Sequence, residues 1–202
     1  MSLRSDERRW GAAAKLFHWL TALLIIIAGV IGLLMGEMKP SMSKINVFAL
    51  HKSIGLTVLA LFALRLLWRL IDRRPRDEPA PRWQQWAAHA THGVLYLLIA
   101  AIPLSGWLFN SLSGYPLQWF KQFNVPALAA KNDAAAEIAL DVHEYLFWTL
   151  VVVLAFHVAA ALKHHLLDRD NVLRRMLPFA RLRQTPAGLR STPPARSQGD
   201  SR

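Results

Sequence analysis

The chain offers eight histidines and no cysteine. Thiolate chemistry, disulfides, iron–sulfur clusters and covalent attachment of a c-type heme are therefore excluded. Any metal chemistry falls to imidazole, Met or carboxylate groups. Four histidines, His18, His51, His143 and His157, lie within or at the ends of apolar stretches, where an ionisable group is costly and usually functional. A neutral imidazole is a good metal ligand, so these four carry the strongest chemical signal. Their use depends on the elements that hold them.

Those elements read as membrane helices. Hydrophobic residues make up 53% of the 202 residues and DEKR 18%, too apolar a balance for a chain that must cover itself with polar surface in water. Leu16 to Gly36 is an uncharged run of 21 residues behind Arg4, Arg8, Arg9 and Lys15, long enough to cross the hydrocarbon core. A signal peptide is the competing reading, but the run is too long and no A-x-A-like site closes it. Further spans are expected at about 45–71, 88–112 and 138–163. Arg65 and Arg69 near the end of the second can snorkel to the interface, and Pro103 should kink the third. The expected fold is an all-α, integral membrane four-helix bundle over residues 1–178. A basic tail over 179–202, rich in Arg, Pro, Ser and Gly, is expected to be disordered from about Arg181.

Charge sets the orientation. Lys and Arg number four in residues 1–15, four between Ile71 and Ala88, and nine from Lys163 onward, against two in each of the other loops. Both termini are then cytoplasmic by the positive-inside rule. The same distribution accounts for most of the net charge of +11, so no nucleic-acid partner is required.

With that topology the histidines acquire depths. His18 and His157 lie toward the cytoplasmic side, His51 and His143 toward the outer side. His143 and His157 are 14 residues apart, nearly four turns and about 21 Å along one helix face. Each can meet a partner from another helix at its own level. Two stacked bis-histidine pairs in an apolar bundle are what two b-type hemes require; core histidines with hydrogen-bond partners are the alternative. His89 and His92 share a face but have no opposing pair, and are read as ordinary interfacial residues. His164 and His165 diverge by about 100° on an α-helix, so at most one faces the inner pair. That one, assigned to His164, is a candidate for a quinone carbonyl, or else an interfacial histidine favouring a helix C-terminus. A zinc site would need its ligands clustered, and no G-x-S-x-G or phosphate loop is present.

KLFHWL around His18, H-x-x-x-G from His51, RLLWRL closing the second helix, HATHGVLYLLIAAIPLSG in the third and HEYLFWTLVVVLAFHVAAALKHHLLDRDNVLRRMLP in the fourth resemble the prokaryotic cytochrome b561 proteins, including the superoxide oxidase type. The resemblance covers about residues 10–178. It implies one heme b on His18 and His157 and a second on His51 and His143. It also implies a bacterial inner-membrane protein passing electrons from superoxide to ubiquinone, with superoxide approaching near Lys52. Five outer lysines face five outer acids, so steering of the anion is a weak argument. The same scaffold would serve an electron-transfer subunit for a separate dehydrogenase, hydrogenase or periplasmic donor. A transporter or plain anchor would carry no heme at all.

Overall fold

A computed structural model describes residues 2–183; the greater part of the basic tail lies outside them. Four long helices dominate: α1 (Ala12–Glu37), α2 (Met42–Ile71), α3 (Arg82–Leu112) and α4 (Asp133–Lys163). All four are long and apolar enough to cross a membrane. Each contains the corresponding expected span and overruns it at one or both ends. The apolar run measures the hydrocarbon depth, whereas the helix continues until a cap stops it. Ser41 caps α2 by accepting the Lys44 N–H at 3.2 Å. Asn132 caps α4 by accepting the Ala135 N–H at 3.1 Å. Pro81 precedes the first residue of α3.

The helices form two hairpins. α1 packs on α2, α3 on α4, and α2 on α3, while α4 makes little close backbone contact with α1 or α2. That leaves a seam along α4. The protein core is small, with Leu95, Leu98 and Leu150 at its centre, packed by Ile25, Ile102 and Leu146. Only 6–11% of the apolar stretch of each long helix is buried within the protein. The remaining apolar surface must be covered by lipid, or by whatever fills the seam.

The two ends of the bundle are built differently. At one end the α3–α4 loop forms a small antiparallel ribbon, β1 (Leu117–Trp119) and β2 (Phe123–Val125), which an all-helical reading did not anticipate. Its turn places both Phe120 and Lys121 at positive φ, 47° and 59°, conformations that favour Asn or Gly. Contacts with α2 hold it there. The fully buried Ser53 accepts the Phe120 N–H at 2.9 Å. Trp119 Nε1 donates to Thr57 at 3.0 Å, and Lys121 Nζ to Asn46 at 2.9 Å. Tertiary bonds thus override local preference. We call this the hairpin end.

At the other, the termini end, α4 runs into a π-helical turn (His164–Asp168), a left-handed Arg169 and a short helix, α5 (Val172–Met176). The last described residues are bonded back to this end, while the rest of the expected disordered tail lies outside the described residues. The Arg183 N–H donates to Asn171 Oδ1 at 2.8 Å, and Arg174 donates to the Arg181 carbonyl at 3.0 Å.

Ser53→Ala tests the anchoring of the ribbon. It leaves the Phe120 N–H without its acceptor, at a cost of about 1–3 kcal/mol. The purified variant should melt at a lower temperature, by roughly 2–10 °C for a chain of this size; an unchanged melting temperature would show that the ribbon is held some other way.

Candidate functional site

The pair near the hairpin end is built from all four helices. His51 of α2 and His143 of α4 face each other across the seam, with ring centroids 6.2 Å apart and planes at 84°. His51 Nδ1 bonds the Ala28 carbonyl of α1 at 3.0 Å. His143 Nδ1 bonds the Ile102 carbonyl of α3 at 2.9 Å. Since a carbonyl only accepts, each Nδ1 must carry the proton, and each Nε2 is left as the free lone pair.

The approach of each ring depends on a glycine. A carbonyl in a helix sits beside the residue four positions on, and here those residues are Gly32 after Ala28 and Gly106 after Ile102. A Cβ at Gly32 would lie 3.2 Å from His51 Cε1, and one at Gly106 would lie 3.0 Å from His143 Cε1. Gly55, one turn from His51, lines the seam, and a Cβ there would meet nothing within 4 Å. Gly29, Ile25, Phe147 and Leu150 supply apolar walls.

About four turns along α4, His157 faces His18 of α1, with centroids 6.5 Å apart and planes at 59°. A third ring stands at the same level. His92 of α3 lies 5.5 Å from His157, edge-on at 67°. Reading by pairs treated His92 as a bystander, because two-fold matching of depths leaves a third member with no role. Its place four residues into the span expected at 88–112 was the available signal, since His18 lies two residues into 16–36 and His157 six from the end of 138–163. His89 remains outside this group, bonding the Gln85 carbonyl at 2.7 Å.

Two imidazoles on opposite sides of one metal, each with a metal–nitrogen bond of about 2 Å, put their ring centroids about 6 Å apart. Both pairs fit that spacing. The donor set is four neutral nitrogens in apolar surroundings, and the pair near the hairpin end has its second nitrogens tied to carbonyls, the usual device for fixing a ligating imidazole. Residues and cofactor chemistry are compatible.

The other expected site residues behave less simply. Lys52 is half-buried and reaches across to Asn110 Oδ1 at 3.0 Å, with the Pro116 carbonyl at 3.5 Å. Its ammonium therefore braces the start of the ribbon loop. His164 Nδ1 lies 2.6 Å from Asp170 Oδ2 and 3.2 Å from Asp168 Oδ2, while His165 Nδ1 is buried with no partner among the described residues. The π-helical turn changes the angle between these neighbours from the α-helical value used in the sequence argument. His164, Asp168 and Asp170 are close enough to share a cation, yet the Lys163 ammonium, 2.6 Å from Asp168, already stands there.

A four-helix membrane bundle with facing imidazoles across an apolar seam defines a class, the membrane-bound b-type cytochromes. The family model for prokaryotic cytochrome b561 matches residues 9–179. The chain is 37% identical to cytochrome b561 homolog 2 of Escherichia coli (strain K12), over 88% of this chain and 95% of that protein. It is 32% identical to cytochrome b561 homolog 1 of the same organism, over 80% and 92% of the two chains. To the probable superoxide oxidase CybB of Yersinia pestis it is 32% identical, over 81% and 93%. The chain belongs to the prokaryotic cytochrome b561 family. It is a multi-pass membrane protein of electron transfer, and its family implies b-type heme.

Gly106→Val tests the packing argument. A branched side chain there displaces His143, and the purified protein should hold less heme b per chain by pyridine hemochrome assay. Full heme content would show that this close approach is not required.

Proposed function

We propose that the chain is a diheme cytochrome that moves electrons across the bacterial inner membrane from superoxide to ubiquinone, with both termini cytoplasmic. The observation that carries this is the pair of facing imidazole sets at two levels. In this reading His51 and His143 ligate the outer heme, and His18 and His157 the inner one. Heme b supplies a reversible one-electron couple of iron, and two such stations suit a reaction that joins one-electron and two-electron partners. Two superoxide anions, one ubiquinone and two protons give two molecules of oxygen and one ubiquinol.

The chain's own residues orient and insulate. The Ala28 and Ile102 carbonyls hold the outer imidazoles in one tautomer. Aliphatic walls exclude water from the seam, which protects the transferred charge from side reactions. Lys52 places a positive charge one residue from His51, which supports an anion's approach there. At the termini end, Asp170 accepts from His164 Nδ1–H, and with both ring nitrogens protonated the Nε2–H donates to a quinone carbonyl. The similarity to a probable superoxide oxidase supports the choice of donor. An electron-transfer subunit serving a separate redox partner is the alternative.

Wild-type protein should contain two hemes b per chain, and His143→Ala and His157→Ala one each, by heme quantification and reduced-minus-oxidised spectra. If His157→Ala retained both hemes, the assignment of the inner pair would be wrong. Purified protein in detergent should reduce a soluble ubiquinone when fed superoxide, with no other subunit present; activity that needs a second protein would favour the alternative. Lys52→Gln should lower the superoxide rate several-fold and weaken its dependence on salt, and an unaltered rate and salt response would remove Lys52 from the site.

A further inference from the structure

Arg65 and Arg69 lie one turn apart on α2, close to its end at Ile71. Both are half-buried and turned toward α3. Their guanidinium carbons stand 5.2 Å and 5.5 Å from the centroid of the Tyr96 ring. Arg69 Nη1 donates to the Tyr96 hydroxyl at 2.9 Å. Side chains on a helix lean toward its N-terminus, and for α2 that direction leads into the membrane. The two cations therefore do the opposite of snorkelling.

Neither has a carboxylate partner among the described residues, although acids are plentiful at this end. Each of those acids is already engaged. Asp6 accepts from the Arg8 and Arg9 backbone, Glu7 pairs with Arg76 and Asp72 holds Ser5. Asp77 faces His89, Glu78 pairs with Arg175, and Asp168 and Asp170 hold Lys163 and His164. Two cations without counter-ions, facing inward at membrane depth, are costly unless an anion joins them. Tyr96 lies one turn from His92 on α3, and His92 stands 5.5 Å from His157. The missing anion thus belongs beside the inner imidazoles.

We propose that Arg65 and Arg69, braced by Tyr96, bind the two carboxylates that a b-type heme carries on one edge, at the level of His18 and His157. The planar guanidinium fork matches a carboxylate, and the spacing of one helical turn presents two forks side by side. Tyr96 is a positioning residue, stacked on both cations and bonded to one. The inference rests on the reading of His18 and His157 as a heme site. A lipid phosphate offers the same anionic chemistry from a different source.

The test uses the holoprotein, carrying heme labelled with carbon-13 at its carboxyl carbons, in wild type, R65Q/R69Q and R65K/R69K. Redox-induced infrared difference spectra should show isotope-sensitive carboxylate bands that move in R65Q/R69Q. The midpoint potential of one heme should fall in that variant, because a nearby positive charge favours the electron-rich form. If R65Q/R69Q loses one heme, R65K/R69K should restore it by keeping the charge. Unmoved carboxylate bands in a two-heme R65Q/R69Q protein, or movement of phosphate bands instead, overturn the proposal; so does loss of heme in both variants. Retention of both hemes in His157→Ala would overturn the underlying site assignment, which separates that failure from failure of the clamp alone.

Discussion

An imidazole offered to a metal inside lipid must have its second nitrogen occupied, since a buried donor left unpaired is expensive. Much of the bundle near the hairpin end follows from that requirement. The acceptors are main-chain carbonyls of neighbouring helices, and a carbonyl already inside a helix is reachable only where the next turn is bare. Gly32 and Gly106 provide the bare turns. His51 and His143 are each thereby tied to a further helix, so that α1 and α3 take part in a site whose rings come from α2 and α4. The half nearer the termini end is organised around charge and packing, with His92 edge-on to His157 and the two arginines of α2 laid on Tyr96.

The seam along α4 is the counterpart of these constraints. In a membrane there is no hydrophobic drive to bring two helices together beyond what packing supplies. α4 packs on α3 and stands away from α1 and α2. A bundle held apart in this way loses helix–helix packing along its length. A flat apolar ligand held in the seam would restore that packing, so that on the proposed reading cofactor and fold would stabilise each other.

Four spans and the facing of His18 with His157 and of His51 with His143 were legible in the sequence, because hydropathy gives depth and depth restricts partners. Pro103 and Gly106 were visible as residues, but nothing in one chain says that a carbonyl beside them receives an imidazole from α4. The same holds for Lys52, which reads as a free surface cation until Asn110 is seen to hold it. The ribbon at 117–125 escaped because its turn uses Phe120 and Lys121 at positive φ, against their preference, and only its bonds to Ser53, Thr57 and Asn46 explain it. His92 was visible too, and was set aside by a pairing rule that counts in twos.

The weave at the termini end also has a consequence for the order of assembly. Ser5 is tied to Asp72, Arg175 to Glu78, and Lys15 and Trp19 of α1 donate to the carbonyls of Leu177 and Met176. The first of these four helices to be synthesised thus receives its final fastening from residues near the end of the described chain. Until those residues emerge, α1 is fastened at that end by little more than the α2 hairpin.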